Sequence, residues 1–272
     1  MNIRDIIKNA GISELDEDVN PDSIPNITNE LMTFDDSLAA EVIDKSKQIM
    51  GSMVRYKELM MMYSCAIKEV KTKFEVLNTE FNVKYSRNPI NFINTRLKRT
   101  SSIVEKLEKK GLPFSAKAIE DSINDIAGIR VICSYIDDIY FIADAFTKQD
   151  DIKLLDRKDY ISHPKPNGYR SLHLIVSVPV FFAEQKRPMK VEVQIRTIAM
   201  DYWASLEHQL KYKHSVENEE QIVSELKNCA ETIASTDNKM LEIRRMIEKN
   251  SGNVTEDEEL FEKIRKFDIS ME

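Results

Sequence analysis

The stretch NGYRSLHLIVSV (residues 167–178) decides the fold class. Its second half alternates: Leu172, Leu174, Val176 and Val178 fall on one side of an extended chain and His173 on the other, the period-two signature of a strand. Pro164, Pro166, Asn167 and Gly168 build a turn in front of it. Two further segments alternate in the same way. GIRVICSY (128–135) sets Ile129, Val131, Cys133 and Tyr135 opposite Arg130. MKVEVQIR (189–196) sets Met189, Val191, Val193 and Ile195 opposite Glu192, Gln194 and Arg196. One face of such a sheet needs apolar cover and the other stays polar. Solvent-facing strands favour Thr, Lys and Glu. These strands present Arg130, His173, Glu192, Gln194 and Arg196, a choice that fits a ligand-facing surface better.

The strands lie between two helical regions. Ile49, Met53, Tyr56, Met60, Tyr63, Ile67, Val70, Phe74, Leu77 and Phe81 recur at spacings of three and four, with Gly51-Ser52 a candidate break. A second stripe, Ile222, Leu226, Cys229, Ile233, Met240, Ile243 and Ile247, has its polarity interrupted by Thr236 and Asp237. Such stripes suit either intrachain packing or an oligomer interface. Residues 1–34 lack periodicity and read as a flexible extension. Residues 251–272 form an acidic tail, leaving 35–250 as one domain with its flanking helices.

The 272 residues carry a net charge of −7, which argues against a general nucleic-acid binder. Between Lys84 and Lys110, however, there are eight bases and two acids, a local island suited to a compact anion. Cys65, Cys133 and Cys229 follow no metal-ligand spacing and read as buried thiols rather than a disulfide frame. No basic n-region precedes an apolar run, and no window approaches the roughly 18 apolar residues of a membrane span. The expectation is a soluble, cytoplasmic protein.

Several residues could carry chemistry. Read as a helix, 95–110 places Lys98, Ser102 and Lys106 at i, i+4 and i+8, with Arg96 and Arg99 in its first turn, a combination suited to a polyphosphate. Asp125 just before one strand and Glu192 inside another could share a Mg2+ ion. Their plainer roles are a loop acid and a surface partner of a lysine. Gly168 lets the backbone approach a ligand. Tyr169 is either a core lid or a stacking face for a base, worth about 1–3 kcal/mol in single-stranded nucleic-acid systems. Lys165 and His173 could reach phosphate oxygens.

DIAGIRV, DYISHPKPNGYRSLH, VEVQIRTIAMDYWASLEHQLKYK and RLKRTSSIVEK, taken in order, resemble the synthetase domain of RelA/SpoT homologues over about 90–213. The chain is most similar to the small, single-domain alarmone synthetases of the RelQ kind. The resemblance implies an α+β fold related to nucleotidyltransferases, with a mixed, mainly antiparallel sheet flanked by long N- and C-terminal helices. It also implies transfer of the β,γ-pyrophosphate of ATP to the 3′-hydroxyl of GTP or GDP, giving (p)ppGpp and AMP in the stringent response. Carried over residue by residue, Arg96, Lys98, Ser102, Lys106 and Arg130 would hold ATP. Asp125 and Glu192 would be catalytic and bind Mg2+. Lys165, Tyr169, His173, Gln194 and Arg196 would form the GTP pocket. Asp201 stands where relatives often have a guanine-reading Asn, so that contact is open. Glu207 would support the acceptor or pair with Lys211, while Trp203 and Leu206 are expected in the core.

Relatives of this size assemble as homotetramers, which the two helical stripes suit. The chain has no His-Asp dipeptide, so synthesis without hydrolysis is expected. A regulatory RNA or the alarmone itself stays open as a further partner. Two alternatives compete: pyrophosphorylation of a tRNA 3′ end, against which the acidic total weighs, and a catalytically silent nucleotide- or RNA-binding regulator.

Overall fold

A computed structural model describes residues 36–85, 87–213 and 219–250. The expectations for residues 1–34 and for the tail 251–272 lie outside the described residues. The chain divides into two compact units at Met53/Val54. Within the first, Ile49 and Met53 are exposed. Helix α1 (Asp36–Tyr85) runs through Gly51-Ser52 without the expected break. Ser52 keeps its place by back-bonding to the Gln48 carbonyl.

The second unit contains a five-stranded sheet of β1 (Ile90–Leu97), β2 (Ala127–Cys133), β3 (Lys153–Asp159), β4 (Leu172–Phe181) and β5 (Lys186–Thr197). Their spatial order is β1-β2-β5-β4-β3. β2 and β5 are parallel and the other pairs antiparallel, giving the mixed, mainly antiparallel sheet that the family resemblance implies. Helices α2 (Thr100–Glu108), α3 (Ala116–Ser122), α4 (Ile136–Thr147), α5 (Ile198–Lys213) and α6 (Glu219–Asn250) complete it.

The inner face of the sheet is the one read from periodicity. Ile129, Val131, Leu172, Leu174, Val176, Val191, Val193 and Ile195 are all buried in the main core. Tyr63, Ala66, Val70, Phe74, Leu77 and Phe81 of α1 cover it at spacings of three and four. Phe74 stacks on Phe146 of α4 with centroids 4.3 Å apart, and truncating such a ring costs roughly 3–5 kcal/mol.

The C-terminal stripe needs correction. The buried or half-buried face of α6 is Leu226, Ala230, Ile233, Asp237 and Leu241, whereas Cys229, Met240, Ile243 and Ile247 are exposed. Asp237 interrupts the stripe because it belongs to the inward face. Leu206 is exposed as well, and only Trp203 is buried as expected. All three cysteines are free, but only Cys133 is buried, its thiol pushed up to about 12 by that burial.

The expected helix over 95–110 is a strand followed by a helix. INFINTRL pairs antiparallel with β2 through Leu97, and α2 starts only at Thr100. Phe92 and Ile93 carry β-preferring side chains, and the hydrogen-bonding edge of β2 offers them a partner. Lys98 therefore precedes the helix that carries Ser102 and Lys106.

Candidate active site

The outer face of the sheet is ordered in rungs. One runs Arg96, Gly128, Glu192 and Ile175 across β1, β2, β5 and β4; the next runs Asn94, Arg130, Gln194 and His173. Gly128 leaves a gap between Arg96 and Glu192. A cavity of about 510 Å³ opens there, lined by Asn94, Arg96, Lys98, Asp125, Gly128, Arg130, Glu192 and Gln194, among others. Sequence reasoning missed Asn94, Thr95 and Gly128. Reading INFINTRL as a strand would have put Asn94 and Arg96 on one face.

At one side of the cavity Asp125 accepts from Lys98 at 3.0 Å and from Lys106 at 2.9 Å. Burial alone would raise its carboxyl, but the hydrogen bonds and charges of Lys106 and Lys98 outweigh that and hold it below the ordinary carboxylate value. Lys98 and Lys106 thus converge although only one of them is helical. Ser102 is half-buried on α2, one turn before Lys106.

Glu192 lies further in. Burial would raise its carboxyl too, and the Asp125 charge adds to that. The neighbouring His173 and the Gln194 amide, which donates to it at 3.0 Å, bring the net shift below the ordinary value. Both carboxylates are therefore ionised, and each senses the other's charge. His173 Nδ1 stands 3.7 Å from Glu192, and its Nε2 is 2.8 Å from the Tyr169 hydroxyl. That hydroxyl also accepts from Arg196 at 2.5 Å, so Arg196, Tyr169, His173 and Glu192 form one polar chain.

Arg196 is the hub of the opposite side. It is 4% exposed. Its three nitrogens donate to Ser171, to Asp201 at 3.1 Å, and to Tyr169 and Gln194. It buttresses the pocket rather than facing a ligand. Asp201 also pairs with Arg130 at 3.1 Å, bridging the two guanidiniums. Among the described residues the buried Nε of Arg130 has no hydrogen-bond partner, an unmet donor on a side chain that lines the cavity. Burial, then the like charge of Arg196, lowers its pKa, a setting that favours an incoming anion.

Tyr169 is presented by a tight turn. Gly168 has φ +89°, its amide donates to the Lys165 carbonyl at 2.8 Å, and Lys165 N donates to Tyr169 O at 3.2 Å. A side chain at that φ would be strained. The Lys165 ammonium lies 4.7 Å from the ring centroids of both Tyr160 and Tyr169. Glu207 accepts from Asn167 in the same turn at 3.0 Å, which joins α5 to the turn. Among the described residues no group of three or more His, Cys, Asp or Glu side chains could hold a metal ion by itself.

A mixed sheet that gathers two ionised carboxylates and a fan of cations around one cavity, with the Tyr169 ring beyond it behind His173 and Arg196, has the make-up of a nucleotide-transferring site of the nucleotidyltransferase-like kind. Comparison with known proteins narrows that class. A family profile described as "Region found in RelA / SpoT proteins" matches residues 95–217. GTP pyrophosphokinase YwaC of Bacillus subtilis is 41% identical over 211 residues, covering 78% of this chain and 99% of the relative. Small alarmone synthetase 1 of Bacillus subtilis, solved bound to its product pppGpp, is similar at 34% identity and TM-score 0.65, over 71% of this chain and 97% of that one. Its structure with AMPCPP is 32% identical with TM-score 0.61, over 71% of this chain and 98% of that one. The chain belongs to the RelA/SpoT family and aligns along nearly the full length of these small synthetases.

Proposed function

We propose that the chain is an alarmone synthetase that moves the β,γ-pyrophosphate of ATP onto the 3′-hydroxyl of GTP or GDP, releasing AMP and (p)ppGpp. The observation that carries this reading is the placement of Asp125 and Glu192, both ionised, in one cavity with Arg96, Lys98 and Arg130, while His173 links Glu192 to the Tyr169 ring outside it. It is supported by relatives that are GTP pyrophosphokinases and by similar structures that hold pppGpp and AMPCPP.

Arg96, Lys98, Ser102, Lys106 and Arg130 form the donor side. Lys98 and Lys106 exchange Asp125 for phosphate oxygens as ATP enters, and the unmet Nε of Arg130 completes the clamp. Asp125 and Glu192 fit a Mg2+ ion, since both are ionised hard-oxygen ligands on one cavity wall, with phosphate oxygens and water left to fill the remaining positions. When bound, the ion neutralises phosphate charge and acidifies a neighbouring hydroxyl.

The acceptor side is Tyr169, whose ring stacks on guanine once Lys165 swings to the acceptor phosphates, with His173, Gln194, Arg196, Asp201 and Glu207 behind it. Glu192 takes the proton of the 3′-hydroxyl. The 3′-oxygen of the acceptor then bonds to the β-phosphorus, the bond from that phosphorus to the α–β bridging oxygen breaks, and AMP leaves with that oxygen. Asp201, already shared by two guanidiniums, orients them and reads guanine only indirectly.

We take 35–250, with its catalytic core near 90–213, as the synthetase domain, and the exposed Met240, Ile243 and Met246 as part of a surface that joins copies into a homotetramer. No described helix is long and apolar enough to cross a membrane, and we assign the chain to the cytoplasm. The test is thin-layer analysis of γ-labelled ATP with Mg2+ and, in parallel, GTP, GDP, GMP or deacylated tRNA. Label on a guanine nucleotide is the expected result. Label on tRNA alone moves the acceptor, and no transfer at all leaves a binding protein.

A further inference from the structure

Helix α6 meets the acceptor side at three places along one face. The Leu226 carbonyl accepts from Trp203 Nε1 at 2.9 Å. One turn on, Ala230 backs the turn that presents Tyr169. A Cβ at Gly168 would lie 2.5 Å from Ala230 Cβ and 3.2 Å from Lys227 Cα, so the turn's backbone is seated directly on the helix. Further along, the Thr197 hydroxyl donates to Asp237, and the same oxygen accepts from Met200 N at 3.1 Å. Trp203, Ala204 and Ala230, with Tyr169, Leu226 and Ile233 against them, make a small second core apart from the main one.

Asp237 is 6% exposed and does not line the cavity. It is a poor stabiliser, since burial raises its carboxyl and the Thr197 hydrogen bond offsets that only in part. Its contact is directional, however. Thr197 follows Arg196, and Met200 N–H precedes Asp201, so the relay from Met200 through Thr197 to Asp237 fixes where α5 leaves β5.

We infer that Asp237 is a positioning residue for the acceptor nucleotide. By fixing the start of α5 it sets the grip of Asp201 on Arg196 and of Arg196 on Tyr169, while Ala230 holds the turn behind the same ring. The inference rests on the reading of the Tyr169 side as the guanine-nucleotide pocket.

The experiment compares wild type, Asp237→Leu, Asp237→Asn and Ala230→Val. Initial rates give KM for GTP and for ATP. Emission and acrylamide quenching of Trp203, the single tryptophan of the chain, which lies 6.5 Å from the Tyr169 ring, report the seat independently of turnover. Asp237→Leu is expected to raise the GTP KM about tenfold, the scale of one buried hydrogen bond, with the ATP KM held within about twofold. Asp237→Asn keeps an oxygen for the Thr197 hydroxyl and restores the GTP KM. Ala230→Val crowds Gly168 and reproduces the Leu signature without touching Thr197.

An equal rise in both KM values, or a lower melting temperature with an unchanged GTP KM, overturns the inference. If wild type transfers nothing to guanine nucleotides, the functional reading fails by itself and the tryptophan decides. Altered Trp203 quenching in Asp237→Leu but not in Asp237→Asn then upholds the seat, and identical quenching in both overturns it.

Discussion

On the donor side of the cavity Asp125 divides its oxygens between Lys98 and Lys106, whose side chains are 11% and 38% exposed, and each member of the trio can exchange its partner for a ligand. On the acceptor side Arg196 is buried and all three of its nitrogens are committed within the protein. One half is held by replaceable ion pairs and the other by a fixed scaffold. On the proposed assignment of the two sides, the donor nucleotide enters by exchanging partners, whereas the acceptor meets a surface already organised before it arrives.

The sharpest way to break that contrast is to remove the group both halves share. Glu192 is tied to the acceptor scaffold through Gln194 and His173, yet lines the donor cavity. Glu192→Gln keeps the shape and is expected to lower the transfer rate by about 10²–10⁴ while nucleotide binding survives. Equilibrium binding beside single-turnover rates checks this. Arg196→Ala leaves Asp201 with one guanidinium and Tyr169 without its brace. A loss of about 3 kcal/mol in unfolding free energy, together with weaker GTP binding, is the expected result of opening a buried charged hub. Denaturant titration reads it.

Lys106→Ala removes a replaceable partner. The ATP KM should rise about tenfold, with a stability change under about 1 kcal/mol because the pair is partly exposed. Should its cost in stability match that of Arg196→Ala, the two halves are not different in kind.

The smallest effect expected is in pH dependence. Asp125 and Glu192 are held below their ordinary values, so the stability they contribute is present above the unfolded pKa and is lost as pH falls through the lower folded value. Asp237 is shifted the other way. Its contribution is present below the unfolded pKa and is lost as pH rises through the raised folded value. Asp237→Asn should therefore flatten the melting-temperature profile on the side above the ordinary carboxyl value and leave the acid limb to Asp125 and Glu192. Calorimetry across that range decides it.

The three strands written plainly in the sequence, β2, β4 and β5, are the three in the middle of the sheet. Each has one face against the core, and burial on that face imposes strict alternation. β1 and β3 lie at the edges and are mostly exposed, so INFINTRL and KLLDRKD carry no period for the eye to find. The site follows the same division. Glu192, Gln194, Arg130 and His173 were legible because they oppose apolar neighbours in alternating strands. Asn94 sits in an edge strand without a readable period, just ahead of the 95–110 stretch read as helix, and Gly128 is hidden because an absent side chain gives no chemical signal. Asp237 registered only as a flaw in an apolar stripe, since its partner Thr197 lies far away in sequence.

Among the described residues β5 is the last strand, and it is the central strand of the sheet. β1 and β2 can pair as they emerge, and so can β3 and β4, but each pair keeps an open hydrogen-bonding edge until β5 enters between them. Closing the sheet is thus the same event that brings Glu192 beside Gly128 and near Asp125. In a refolding experiment the native β-sheet signal and catalytic turnover should return together, in the slow phase typical of non-local strand pairing, and until then the chain holds two separate antiparallel strand pairs with sticky margins.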